Sequence, residues 1–174
     1  MIQTLHFRLG NPSPNNPDLP VLVYRQVFVR KGDVATAMEA RFERNGWPPQ
    51  WRNGIYAFHH YHRTAHEVLG IASGEVTVML GGNGGATVVL RQGDAVLLPA
   101  GTGHCRISQS EDLVVIGAYP PRQYGDIERA PATPQERAII ASVPHPGTDP
   151  VGDIEGVPQY WQHIPDMSVG RTAG

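Results

Sequence analysis

Two histidines set two apart among aromatic and apolar residues carry the first chemistry visible in this chain. His60 and His62 fall in the run Gly54-Ile-Tyr-Ala-Phe-His-His60-Tyr-His62. In an extended segment, residues i and i+2 share a face and lie about 6.5–7 Å apart along the chain. Both imidazoles can then reach one metal ion at about 2.0–2.1 Å each. The polar pair Arg63 and Thr64 makes a short turn that can bring Glu67 back to the same centre. A second stretch, Gly93 to Ser108, holds a Pro-x-Gly turn at Pro99 to Gly101 that feeds a new strand near His104. A one-residue slip in register would present His59 and Tyr61 instead, a face with only one ligand type. His66-Glu67 could open a His-Glu-x-x-His metalloprotease motif, but Gly70 stands where the second histidine would be.

The two stretches resemble the two motifs of the cupin superfamily. Gly54-(x5)-His60-x-His62-(x4)-Glu67-(x6)-Gly74 meets every fixed position of the first. Gly93-(x5)-Pro99-x-Gly101-(x2)-His104 meets the second up to its last place, where Ser108 replaces the usual Asn. The spacer, Glu75 to Gln92, has ordinary cupin length. Asn45-Gly-Trp47, Trp51-Arg-Asn-Gly54 and His66-Glu-Val-Leu-Gly70 narrow the likeness to small, uncharacterised bacterial single-domain cupins. The resemblance implies metal ligands at His60, His62, Glu67 and His104. Three imidazoles and one carboxylate suit one divalent ion per chain, drawn from Fe, Mn, Ni, Co or Zn. The competing reading is a cupin whose motif persists as a packed, metal-free core.

Around these residues, inward alternation selects Tyr56 and Phe58 before His60, and Arg106 after His104, as cavity-facing substrate contacts. A buried arginine is costly unless paired. Arg106 therefore either receives an anionic ligand, pairs with Glu75 or Asp94, or reaches out to water. His66 points opposite to Glu67 and reads as a residue that supports the ligands from behind or lies at an interface. Cys105, beside a ligand but on the other face, reads as a structural thiol.

The elements that must position these groups are short strands. Gln3–Leu9, Val21–Val29, Ile55–His62, His66–Ala72, Val76–Leu80, Ala86–Leu90, Ala95–Leu98, His104–Ile107 and Leu113–Tyr119 are expected as strands, separated by turn signals. Gly81 to Gly85 is a hairpin turn rather than a phosphate cradle, since no Gly-Lys-Ser/Thr follows. Asp33 caps a helix to about Asn45 whose buried stripe is Val34, Met38 and Phe42, with Gly46 as its stop. Trp47 to Trp51 is expected to be a packed lid. Thr133-Pro134-Gln-Glu136 is a capping box that opens a second helix to about Ser142. In the tail, Tyr160-Trp161 is expected to anchor on the barrel. The expected fold is all-β: a single-domain cupin jelly-roll barrel over about 54–120. An arm at 1–53 carries one preceding helix, and one short C-terminal helix with its tail occupies 121–174.

At 174 residues with Gly 20 and Pro 16, the composition suits strands joined by tight turns. A net charge of -2 offers no electrostatic case for nucleic acid or an anionic membrane. The single cysteine excludes an internal disulfide framework and fits a reducing compartment. With no secretory signal and no apolar run near the ~20 residues of a membrane span, a cytoplasmic location is expected. The apolar strand at Val21–Val29 argues for a two-fold homodimer, because an exposed strand of that kind needs a partner. The leading functional expectation is an enzyme acting on a small-molecule ligand, anionic if Arg106 faces it, through dioxygenase-like chemistry. The alternatives are a non-redox metal-dependent isomerase, epimerase or lyase, and a non-catalytic ligand-binding or sensing cupin.

Overall fold

The computed structural model describes residues 1–161 apart from 11, 30 and 153–155. Among the described residues nine strands occur, β1 Ile2–Leu5, β2 Val21–Tyr24, β3 Pro49–Asn53, β4 Glu67–Ser73, β5 Glu75–Leu80, β6 Ala86–Arg91, β7 Ala95–Leu98, β8 His104–Gln109 and β9 Val114–Ala118. Three helices accompany them among the same described residues, α1 Val34–Arg44, α2 Pro134–Ser142 and the single turn α3 Val157–Tyr160. One sheet has six strands in the order β1-β2-β7-β4-β9-β3, and a second has three in the order β6-β5-β8. All the strand pairs are antiparallel. Among the described residues, no helix is long and apolar enough to cross a membrane.

Alternation sorts the six-stranded sheet into two cores. Val21, Val23, Leu69, Ile71, Val96, Leu98 and Val115 face the small sheet and meet Val76, Val78, Leu80, Val88 and Leu90. The intervening residues, among them Leu22, Tyr24, Val68, Leu97 and Ile116, face the other way onto Val34, Met38, Phe42 and Trp47. A strand buried on both faces reads as a continuous apolar run, which is why β2 and β7 show no alternation of polarity.

The helices begin and end as their sequences require. Asp33 accepts from the Thr36 amide at 3.1 Å at the start of α1. At its other end Gly46 takes φ 77°, while the Gly46 and Trp47 amides return to the Glu43 and Phe42 carbonyls in a Schellman closure. The Thr133/Glu136 capping box of α2 is formed, with Pro134 in its first turn. Trp161 is buried, and its indole donates to the Pro20 carbonyl at 2.9 Å, so this aromatic does anchor on the sheet.

Three expectations change. Ile55–His62 is not a strand: it is irregular chain with isolated bridges at His60↔His104 and Tyr61↔Glu128. The strand from Val21 stops at Tyr24, because Arg25 and Gln26 turn to engage Asp94. Trp47 to Trp51 is not a lid; it leads into β3, which pairs with β9. The dimer argument also loses its support, since β2 is paired on both edges and buried on both faces within one chain.

Candidate metal centre

The centre lies where the irregular segment before β4 crosses the start of β8. His60 N–H donates to the His104 carbonyl at 3.1 Å and the His104 N–H to the His60 carbonyl at 2.9 Å, locking the two rings side by side. Their ring centroids are 4.0 Å apart. Each imidazole offers its Nδ1 to a backbone carbonyl: His60 to Phe58 at 3.1 Å, His104 to Thr102 at 3.0 Å, and His62 to Asp126 in a very short contact. Nδ1–H donation fixes the tautomer that leaves Nε2 as the ligand atom, the arrangement ligating histidines ordinarily adopt. The three buried histidines present ring nitrogens within 4.8 Å of one another, a group that could hold a metal ion.

Glu67, the first residue of β4, points into the same space and is 2% exposed. Its Oε2 lies 3.0 Å from His62 Nε2 and 3.4 Å from His104 Nε2. Two atoms bound to one ion at about 2.1 Å, at tetrahedral or right angles, stand about 3.0–3.4 Å apart. The separations of Glu67 from His62 and His104 match those of atoms sharing one ion, while the group whose ligand atoms all lie within 4.8 Å of one another is the three histidines alone. Its other oxygen, Oε1, accepts from the Tyr119 hydroxyl at 2.7 Å.

The electrostatics follow from burial and from that carboxylate. Burial, helped by the neighbouring His104, pushes His60 down to about 3, so this ring is neutral. Burial also works against charge on His62, but the Glu67 carboxylate and the Asp126 carbonyl outweigh it and raise His62 to about 9. Burial alone would raise Glu67; the charge of His62 and hydrogen bonds from His104 and His62 instead hold it well below the usual range.

The family is decided by sequence. The cupin domain family matches residues 49–117. The protein YjlB of Bacillus subtilis (strain 168), described only as uncharacterized, is 35% identical over 162 residues, covering 91% of this chain and 96% of its own. The chain belongs to the cupin family. Among solved structures, a DUF861 family protein from Thermotoga maritima is 22% identical with a TM-score of 0.32, over 50% of this cupin and 91% of that chain. An Fe(II)- and 2-hydroxyethylphosphonate-bound HEPD from Streptomyces albus is 16% identical with a TM-score of 0.30, over 75% of this cupin and 22% of that chain.

The site opens into a cavity of about 720 Å³. His60, His62, Glu67 and His104 are in its wall, as are Tyr56 and Arg106. Arg106 hydrogen-bonds Gln109 in a short contact. Neither expected carboxylate pairs with it: Glu75 binds Arg91 at 2.7 Å and Asp94 binds Arg25 at 2.9 Å. Phe58 does not line the cavity. Its ring stacks on Tyr56 at 4.7 Å beneath the Arg129 guanidinium at 4.2 Å, and what it offers the centre is its carbonyl. His66 faces the other side of β4. Its Nδ1 accepts from the Ala100 amide at 2.9 Å, its ring packs on Trp161, and none of its hydrogen bonds is to the four candidate ligands.

Sequence reasoning missed Trp51, Tyr119 and Asp126. Tyr119 continues the inward parity of Val115 and Gly117, and that periodicity is the one signal that could have found it.

Proposed function

We propose that this cupin is an enzyme with one divalent ion per chain, held by His60, His62, Glu67 and His104, acting on a small organic anion through dioxygenase-like chemistry. The observation that carries the reading is the three buried histidines with ring nitrogens within 4.8 Å of one another, and Glu67 Oε2 at 3.0 and 3.4 Å from His62 and His104 Nε2, in the wall of a cavity of about 720 Å³. A bound Fe, Mn, Ni, Co or Zn ion would supply Lewis acidity there, and a redox metal the oxidising capacity. The protein's own residues prepare the rest. The Phe58, Asp126 and Thr102 carbonyls hold the rings in the ligating tautomer. Arg106, two residues past His104 on β8, presents a guanidinium that no described carboxylate neutralises. It can grip a ligand carboxylate through paired hydrogen bonds. Tyr56 closes the near wall against His60, with ring centroids 5.3 Å apart.

The test begins with elemental analysis of protein purified without chelator. About one divalent ion per chain is expected, and the His60→Ala/His104→Ala double variant should be empty; full occupancy in that variant refutes the ligand set. Arg106→Leu should keep the ion yet weaken binding of simple carboxylates by about 2–3 kcal/mol, the range for a lost charge-assisted contact. Fe(II)-loaded protein is then screened against carboxylates for oxygen uptake. Turnover without oxygen uptake under Mn(II) or Zn(II) assigns an isomerase, epimerase or lyase instead, and tight binding without turnover a sensor.

A further inference from the structure

We propose that Trp51 and Tyr119 are a positioning pair that reserves one oxygen of Glu67, so that the carboxylate offers the metal a single oxygen. The inference rests on the metal-centre reading above and concerns residues outside the ligand set. An indole N–H can only donate, and Trp51 Nε1 lies 3.0 Å from the Tyr119 hydroxyl oxygen. That oxygen is therefore the acceptor, and its one proton goes to Glu67 Oε1 at 2.7 Å. The direction of the relay leaves no ambiguity: Oε1 is an acceptor already in use, and Oε2 faces the His62 and His104 nitrogens.

The backbone is cut to fit this pair. On β9, a Cβ at Gly117 would lie 2.0–2.4 Å from three atoms of the Trp51 indole, so glycine is what lets the ring cross the strand. At Gly125, a Cβ would lie 2.4 Å from the Tyr119 hydroxyl. Two glycines from separate segments thus vacate the space around one hydrogen-bonded pair. Trp51 comes from β3, whose register places it opposite Gly117, and Tyr119 follows two residues later on the same inward parity. Both side chains are in the cavity wall, and Tyr119 is 6% exposed.

The consequence is a count of coordination positions. A carboxylate free at both oxygens can chelate one ion and occupy two of them. With Oε1 held by a hydroxyl, that second position stays available to an external ligand. A hydrogen-bonded carboxylate partner of this kind is also what tunes a metal site beyond its first ring of ligands.

The test uses Co(II) as the loaded ion and azide as the external ligand. Wild type should bind about one Co(II) per chain, and azide should shift its visible absorption. Tyr119→Phe should still bind Co(II), but with a weaker visible absorption as Glu67 occupies a second position, and with azide affinity reduced about tenfold. Trp51→Phe, which keeps the hydroxyl but frees its orientation, should move both readouts in the same direction by less. This second variant decides the matter if Tyr119→Phe does not fold. Spectra and azide titrations identical to wild type in the folded variants overturn the positioning role while leaving the metal centre standing. Failure of wild type to bind Co(II) overturns both.

Discussion

His62 carries more of the argument than its place in a two-histidine motif suggests. Its Nδ1 is committed to the Asp126 carbonyl and its Nε2 faces Glu67, so without a metal both nitrogens meet acceptors and the ring holds a proton up to about pH 9. A metal must displace that proton. Affinity should therefore rise about tenfold per pH unit from 6.5 toward 9 and then level off, as read by chelator competition. Glu67→Gln should bind more weakly and lose this slope. The same groups set the stability of metal-free protein. The raised His62 stabilises the fold fully below about pH 6.5, and that contribution is lost as pH rises through about 9. His60 and His66, which burial first of all pushes down to about 3, act oppositely: below about pH 6.5 the unfolded chain takes up protons that they refuse. Thermal midpoints of chelator-treated protein should thus peak near pH 6–7 and fall on both sides. A midpoint still climbing between pH 7 and 9 would contradict the His62–Glu67 pairing. At this scale, His60, His62, Glu67 and His104 were legible because their spacing is local or motif-bound. Tyr119 and Trp51 were not: the partners in that relay lie 52 and 68 residues apart, and no local pattern encodes such a bond.

Among the elements, α1 shows what was legible and what was not. Its cap, its stripe of three residues spaced four apart and its glycine stop are local rules, and all three appear as the sequence indicates. That the stripe covers the outer face of β4 is a tertiary fact. It depends on Gly70, where a Cβ would come within 2.9 Å of Met38 Sδ and 3.0 Å of the Phe42 ring. Gly70→Val should cost about 1–3 kcal/mol by overpacking, seen as a lower denaturation midpoint. Metal stoichiometry should be unchanged, because Gly70 faces away from Glu67's side of the strand; loss of metal at retained stability would put the two faces of β4 in doubt. β3 was hidden by Pro48 and Pro49, which demote a strand on local grounds. It forms because Pro49 is its first residue and the strand is an edge, where a missing N–H costs least. The segment around His60 misled in the opposite sense. Its apolar alternation reads as a strand, yet the backbone turns so that Phe58 can give its carbonyl to His60. The ligands still converge, because pairing of His60 with His104 does what a full strand was expected to do.

Across the whole molecule, one side chain ties the candidate centre to distant chain. Arg63, in the turn between His62 and Glu67, binds Asp126 at 2.9 Å, Glu128 at 2.8 Å and Glu136 of α2 at 2.8 Å. Asp126 is also the residue whose carbonyl takes the His62 Nδ1–H, and its carboxylate caps the Arg63 and Thr64 amides. Gly125 and Ile127 flank it in the cavity wall. Three anions on one guanidinium thus hold a ligand turn, a cavity wall and a helix in register. Isolated exposed pairs contribute about 0–1 kcal/mol each, and Arg63 is 31% exposed, so the network is partly screened. Arg63→Met should cost only about 1–2 kcal/mol of global stability. Its local effect should be larger. With Asp126 released, His62 loses the carbonyl that orients it, and metal affinity should fall about tenfold while stoichiometry at saturation stays the same. Hydrogen exchange should quicken in residues 120–130 and stay unchanged in β2 and β7. High salt should narrow the gap between wild type and variant, since it screens the pairs the variant lacks. If exchange over 120–130 matches wild type, Arg63 does not hold that wall, and the orientation of His62 must come from the backbone pairing of Tyr61 with Glu128 alone.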